Sequence, residues 1–384
     1  MKPLKILFVT MDYPPSIGGI QTFTFDLYNA LREHGHTIKI LNFDGRNKKN
    51  DSVLSLSDFF YTPATNNSYY SLIKILNPFL FLEPGGYRDF VFSNMIYRIT
   101  QKTAQTFKPD LIHIMKNSLY ASVFNSKIPF VVSCHMGAED IFDEYPIHYS
   151  LKNAKRIHFV SKFIKSLALR IEKRLDKDTT IIYNSINLKQ FEKIRTNKKK
   201  QIITISRLVK SKNIDTLIKA FALFSEKNKD YRYVIVGDGP EIKNLKNLTK
   251  KLELTNVIFK GKIKNAEKKI KLLKESDIFL LCPETKNKIE EAFGMVYIEA
   301  QAAGLPIICS NTGGILEAVG QSGIVIKDEK SVNEISEALI RLIANKNTYM
   351  KLVHEGQKRI KVFDKKMWIQ SFLNFYNYAL SKNH

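Results

Sequence analysis

The sequence predicts an α/β protein built from two doubly wound, Rossmann-like domains, and three observations predict it. The chain has 384 residues, more than one hydrophobic core ordinarily organises and a comfortable length for two. Short apolar runs alternate with helical patterns, the rhythm of parallel strands covered on both faces. That rhythm is interrupted once, by a polar stretch from about Asn184 to Lys200 ending in Asn-Lys-Lys-Lys, and then restarts.

Taken in order, LKILFVT (4–10) has the pattern of a buried strand. A Pro/Gly loop follows, then a helix from about Gln21 to Glu33 that Gly35 ends, then the strand TIKILNF (37–43). Asp110-Leu-Ile-His-Ile and Pro129-Phe-Val-Val-Ser-Cys read as further short strands. Beyond the polar stretch, IITIS (202–206) is a strand, 213–228 a helix, YRYVIVG (231–237) a strand and 240–253 a helix. VIFKG (257–261) and DIFLLCP (277–283) are strands. Val296 to Ala303 reads as a short helix stopped by Gly304, with Pro306 and an apolar strand behind it. FDKKMWIQSFLNFYNYAL (363–380) closes the chain as an amphipathic helix. The implied boundaries are 1–184, 185–361 and 362–384.

Glu291 and Glu299 stand eight positions apart around Phe293-Gly294, the first in a loop and the second in the helix behind it. A loop entering a helix aims free N–H groups and the positive end of the dipole outward. Such a site takes an anion while two carboxylates accept hydrogen bonds from hydroxyls, and a sugar nucleotide offers both. A buried helix with one capping and one exposed acid is the competing reading of the pair alone. Arg207 and Lys212, five apart in the loop after IITIS, suit a diphosphate or, equally by spacing, are two surface cations. Gly18 and Gly19 sit between a strand and a helix, where backbone approaches a phosphate closely. His135 follows a strand, where a lone histidine is more often structural.

EAFGMVYIEAQAAGLPII (291–308), followed by Thr312-Gly313-Gly314 and Glu317, resembles the donor-site signature of the retaining glycosyltransferases of family 4, which have the two-domain GT-B fold. The order of Gly18-Gly19, His135, Arg207 and Lys212, VGDGPE (236–241) and Glu291 to Glu299 matches that family along nearly the whole chain. The resemblance implies two domains facing a cleft, the first on the acceptor side and the second on the donor side, with the last helix crossing back to the first. It implies sugar transfer from a nucleotide diphosphate sugar to an acceptor hydroxyl with retention of configuration. By resemblance, Arg207, Lys212, Glu291 and His135 are catalytic. Gly18, Gly19, Gly237, Phe293, Gly294, Met295, Val296 and Glu299 bind the donor. Glu299 holds the ribose, Glu291 the sugar hydroxyls, and Phe293 to Val296 offer backbone contacts. Gly237 shapes the nucleotide-base pocket, and NSINLKQF (184–191) is architectural.

Departures from the family pattern are Gln21 where Glu is usual, Asn213 where Gly is usual, and an extra residue between His135 and Asp140. The last favours His135 over Asp140. No metal-ligand spacing is present, so Arg207, Lys212 and helix dipoles are expected to replace a metal, and no cofactor beyond a GDP- or UDP-linked substrate is expected. The opening MDYPPSIGGIQTF is most similar to phosphatidylinositol mannosyltransferases and tilts the donor toward GDP-mannose.

The formal charge is +23, carried by 48 Lys against 12 Arg. Nucleic-acid readers and phosphate clamps favour Arg for its planar fork, so nucleic acid is the weakest of three explanations. An AT-rich coding sequence and attraction to an anionic membrane face are the others. SKFIKSLALRIEKRL (161–175) has an apolar stripe flanked by cations, and SLIKILNPFLFL (71–82) is a second apolar segment. The helix either lies on a bilayer, implying a lipid-linked acceptor, or covers its own domain's core. Cys134, Cys282 and Cys309 fit neither a disulfide framework nor a metal site, and the first apolar run is too short for a signal-peptide core. A cytoplasmic protein, or one peripheral on the inner membrane face, is the expectation. A basic nucleic-acid-binding protein and a non-catalytic nucleotide-sugar-binding subunit are the rival readings.

Overall fold

The computed structural model describes residues 2–10, 13–14, 19–43, 53–55, 87–115, 123, 126–135, 153–171, 178–284 and 291–381. Its contacts gather into two units. The first holds Met1–Val160, Ile164–Ile182 and Ile369–His384, and the second Ser161–Phe163 and Tyr183–Trp368.

The first unit is a seven-stranded parallel sheet. Its strands are β1 (Lys5–Thr10), β2 (Thr37–Asn42), β3 (Val53–Ser55), β4 (Leu111–Ile114), β5 (Phe130–Cys134), β6 (Arg156–Phe159) and β7 (Thr179–Ile181), in the order β3-β2-β1-β4-β5-β6-β7. Ile6, Leu7, Phe8 and Val9 of β1 are fully buried, as a strand covered on both faces requires. The Gly19–Glu33 helix follows β1 and ends at Gly35, whose φ of +84° suits a residue without Cβ.

The second unit repeats the plan with six parallel strands. They are β8 (Gln201–Ile205), β9 (Arg232–Val236), β10 (Val257–Gly261), β11 (Ile278–Leu281), β12 (Ile307–Ser310) and β13 (Gly323–Ile326), in the order β10-β9-β8-β11-β12-β13. Both sheets therefore start at a central strand, wind to one edge, and return across it. Two doubly wound α/β units are what the alternation of the sequence predicts. The winding reverses between β1 and β4 in the first unit and between β8 and β11 in the second, where α/β sheets place their ligands.

Three details refine the sequence reading. The polar stretch after Asn184 is packed over its first part, the segment 184–191 read as architectural. Ile186 and Phe191 are buried, Leu188–Glu192 is helical, and the Ile186 N–H donates to the Phe363 carbonyl at 2.9 Å. The last helix, Lys365–Ser381, starts later than residue 362 because Phe363 stays packed on Tyr183 and Phe293, and the chain joins the first unit only from Ile369. There it buries Phe372, Phe375, Tyr376 and Ala379 completely. Finally, Ile164, Leu167 and Ala168 of the Lys162–Ile171 helix are buried, so those stripe residues cover a core. Leu175 and the segment 71–82 lie outside the described residues. Among the described residues, no helix is long and apolar enough to cross a membrane.

Candidate active site

In the second unit, the expected site residues gather on the loops that leave the carboxyl ends of β8, β9 and β11. Arg207 lies two residues past β8, exposed and without an ion pair among the described residues. Five residues on, Lys212 closes a short 3-10 turn, and Asn213 takes the left-handed conformation, φ +57°, that starts the Ile214–Lys227 helix. This is the position where the family uses Gly. Asn tolerates the conformation better than most residues. The Asn213 side chain donates to the Cys282 carbonyl at 3.2 Å and to the Glu329 carbonyl, which fixes the turn. Lys212 Nζ then reaches across the reversal point to pair with Glu291 Oε2.

Glycines hold these loops by letting backbone meet backbone. A Cβ on Gly237 would lie 1.8 Å from the Ser206 carbonyl oxygen, and one on Gly239 would lie 2.4 Å from that of Leu208. The Leu208 N–H donates to the Asp238 carbonyl at 2.9 Å, and the Glu241 N–H to the Leu208 carbonyl at 3.0 Å. Gly237 thus braces the Arg207–Lys212 loop directly. Gly313 and Gly314 do the same for Glu291 and Ala292. Their added Cβ atoms would lie 2.2 and 2.3 Å from those two carbonyls, and the Gly314 N–H donates to Glu291 O at 2.7 Å. Glu317, the last residue of the signature, accepts from the N–H groups of Lys162 and Phe163 at 2.7 Å each and caps backbone of its own unit.

The Met295–Ala302 helix begins one residue earlier than its periodicity suggests, because Gly294 adopts φ +87° in front of it. A Cβ there would strike the Tyr297 ring at 2.5 Å. The N–H groups of Met295 and Val296 belong to the first turn, ahead of the Tyr297 N–H bond to the Gly294 carbonyl at 3.1 Å. Phe293 points inward, stacked on Tyr183 with centroids 5.4 Å apart, so only its backbone is available to a ligand. One turn along, Glu299 Oε1 pairs with Lys269 Nζ at 2.6 Å. Glu299 Oε2 is buried without a hydrogen-bond partner among the described residues. Lys269 carries no motif, and nothing in the sequence announces this pair.

The first unit is built on different chemistry. His113 on β4, Ser133 on β5 and His158 on β6 form one buried hydrogen-bonded chain with Tyr376 of the last helix. Burial keeps both histidines neutral, holding His158 down to about 4 and His113 well below its ordinary value. The direction of the chain follows. A carbonyl only accepts, so His158 Nε2–H donates to Ile182 O at 2.8 Å, and His158 Nδ1 accepts from the Ser133 hydroxyl at 2.8 Å. Ser133 Oγ accepts from His113 Nε2–H at 2.7 Å, and His113 Nδ1 accepts from the Tyr376 hydroxyl at 2.7 Å. His135 rests beside this chain, its ring 4.2 Å from Phe23 and 5.5 Å from His158. Burial first, then His158 and His113, hold its pKa well below the usual value. Its Nε2 is buried with no hydrogen-bond partner among the described residues. Gly19 opens the first helix, and a Cβ there would meet nothing within 4 Å. Gly18 and Asp140 lie outside the described residues.

Two parallel α/β units wound to one plan, the second with charged side chains gathered where its winding reverses, define a two-domain, doubly wound class of protein. Residues 17–190 match the family model for Glycosyltransferase Family 4, and residues 186–359 match that for Glycosyl transferases group 1. The chain belongs to the family 4 glycosyltransferases and has the GT-B fold. A glycosyltransferase of Methanocaldococcus jannaschii without assigned substrates is 24% identical over 94% of each chain. The GDP-mannose-dependent alpha-(1-6)-phosphatidylinositol monomannoside mannosyltransferase of Mycobacterium tuberculosis is 22% identical over 92% of this chain and 93% of its own. An Anabaena protein crystallised with UDP and glucose superposes with a TM-score of 0.72 at 18% identity, covering 97% of this chain and 99% of the other.

Proposed function

We propose that this glycosyltransferase moves a hexose from a nucleotide diphosphate sugar to an acceptor hydroxyl with retention of configuration and without a metal ion. The observation that carries the reading is the grouping around the β8/β11 reversal point. The exposed Arg207, the Lys212–Glu291 pair and the opening N–H groups of the Met295–Ala302 helix lie on loops braced by glycines. Arg207 and Lys212 take the diphosphate, Glu291 the sugar hydroxyls, and Glu299 the ribose. In the first unit, Gly18 and Gly19 are assigned to the distal phosphate and His135, whose Nε2 has no hydrogen-bond partner among the described residues, to a sugar hydroxyl.

The bond from C1 of the sugar to the diphosphate breaks on the face where the acceptor oxygen bonds to C1. The acceptor's proton passes to the departing phosphate oxygen, so no protein base is required. Negative charge grows on the diphosphate as it leaves, and two preorganised cations stabilise that state more than the bound donor. The acceptor is assigned to the glycan or lipid-linked class, on the strength of the phosphatidylinositol-modifying relative. A screen of radiolabelled UDP- and GDP-sugars with a lipid extract tests the reading, and NMR of the product tests retention. Transfer from one donor with the anomeric configuration kept is expected; nucleotide-sugar binding without transfer to any acceptor would favour the non-catalytic subunit.

A further inference from the structure

We infer that Lys269 is a nucleoside-binding residue, which together with Glu299 forms a charge pair that reads the ribose diol. The inference rests on the proposed role of Glu299. Lys269 stands on the Ala266–Glu275 helix, whose start is fixed by the Asn265 side chain accepting from the Lys268 N–H at 2.8 Å. Its Nζ donates to Glu299 Oε1 at 2.6 Å, and the Lys269 and Glu299 side chains are 28% and 14% exposed. A pair that served only to join two helices would leave no reason for Glu299 Oε2 to be buried and unsatisfied. Buried acceptors without partners are rare in folded proteins and mark a missing hydrogen-bond donor.

The donor and acceptor inventory states what fits. Glu299 Oε2 accepts one O–H. Lys269 has three N–H donors, one of them spent on Oε1. Two neighbouring hydroxyls on a sugar ring complement that arrangement, one donating to Oε2 and the oxygen of the other accepting from Nζ. A lone carboxylate would bind the same diol through both of its oxygens. Here the lysine takes over one of those contacts and keeps the carboxylate oriented. Lys271, exposed on the same helix, makes no comparable pair and supplies the control for loss of charge alone.

Calorimetric titration of UDP and GDP, each with its 2′-deoxy and 3′-deoxy forms, tests this on the full chain and on Lys269→Met, Lys271→Met and Glu299→Gln. The wild type should bind one nucleotide and lose affinity for its deoxy forms. Lys269→Met should weaken the parent nucleotide by about 10-fold or more, the scale of one charge-assisted hydrogen bond, and should shrink the deoxy penalty. Lys271→Met should do neither. If Lys269→Met keeps both affinity and penalty while Glu299→Gln loses them, the role of Lys269 is overturned and that of Glu299 stands. Equal losses in Lys269→Met and Lys271→Met would overturn it as a general charge effect. If Glu299→Gln binds like wild type, or the wild type binds neither nucleotide, the underlying reading of Glu299 falls as well.

Discussion

The two units place polar side chains at the carboxyl ends of the same kind of sheet, yet they handle them in opposite ways. The second unit holds charges in separate, largely covered pairs, Lys212 with Glu291 and Lys269 with Glu299. The first holds neutral groups in series, from Tyr376 through His113, Ser133 and His158 to the Ile182 carbonyl, all out of water. An ion pair that keeps some exposure can exchange its partner for the charge of a ligand. A buried chain in which every donor faces one acceptor cannot lose a member without stranding the next. The difference fits the proposed function, with the charged pairs of the second unit free to meet a donor and the hydrogen-bonded chain of the first unit giving shape.

The largest effect that would break this contrast is on turnover. Arg207→Ala or Lys212→Ala should lower kcat about 100-fold or more, the scale of losing one preorganised electrostatic donor, with little change in thermal stability. Near-normal rates in both variants would remove the second unit's claim to the chemistry.

Ser133→Ala should do the reverse. It strands His158 Nδ1 and His113 Nε2–H, at about 1–3 kcal/mol for each buried group left unsatisfied. Tm should drop by several degrees, while turnover well below Tm stays within a few-fold of wild type. An unchanged Tm would show that the chain of hydrogen bonds is not a structural unit.

The acid response sharpens the comparison. His158 is held at about 4 in the folded state against an ordinary 6.5. Its stability contribution is therefore complete above pH 6.5 and is lost as pH falls from there toward 4. The loss is about 3 kcal/mol at 1.36 kcal/mol per unit, and the lowered values of His113 and His135 act in the same direction. Denaturant melts at pH 7 and pH 5 measure it, and His158→Gln should flatten the difference. The smallest expected effect is that of chelation. With Arg207 and Lys212 at the diphosphate, excess EDTA should leave turnover unchanged, and loss restored by Mg²⁺ or Mn²⁺ would contradict that assignment.

The second unit was largely legible in the sequence because its parts are local. Gly304, at φ +79°, stops a helix whose length periodicity sets to within a residue, and the glycines of VGDGPE and Thr-Gly-Gly announce backbone contacts before their partners are known. Lys269 was not legible: one lysine among 48 carries no signal, and its partner is 30 residues away on another helix. In the first unit, DLIHI reads as a strand, but nothing local says that His113 is paired with a tyrosine 263 residues further on. The stripe of the Lys162–Ile171 helix fitted a core or a membrane, the core being the commoner case, and the burial of Ile164, Leu167 and Ala168 shows the core for those residues.

A crystal structure with the nucleotide that binds, UDP or GDP, tests the central claim most directly. The account predicts the diphosphate within hydrogen-bond distance of both Arg207 and Lys212, with Lys212 Nζ moved off Glu291 and Glu299 Oε2 accepting from a ribose hydroxyl. A diphosphate bound elsewhere, with Lys212 still paired to Glu291, would contradict it.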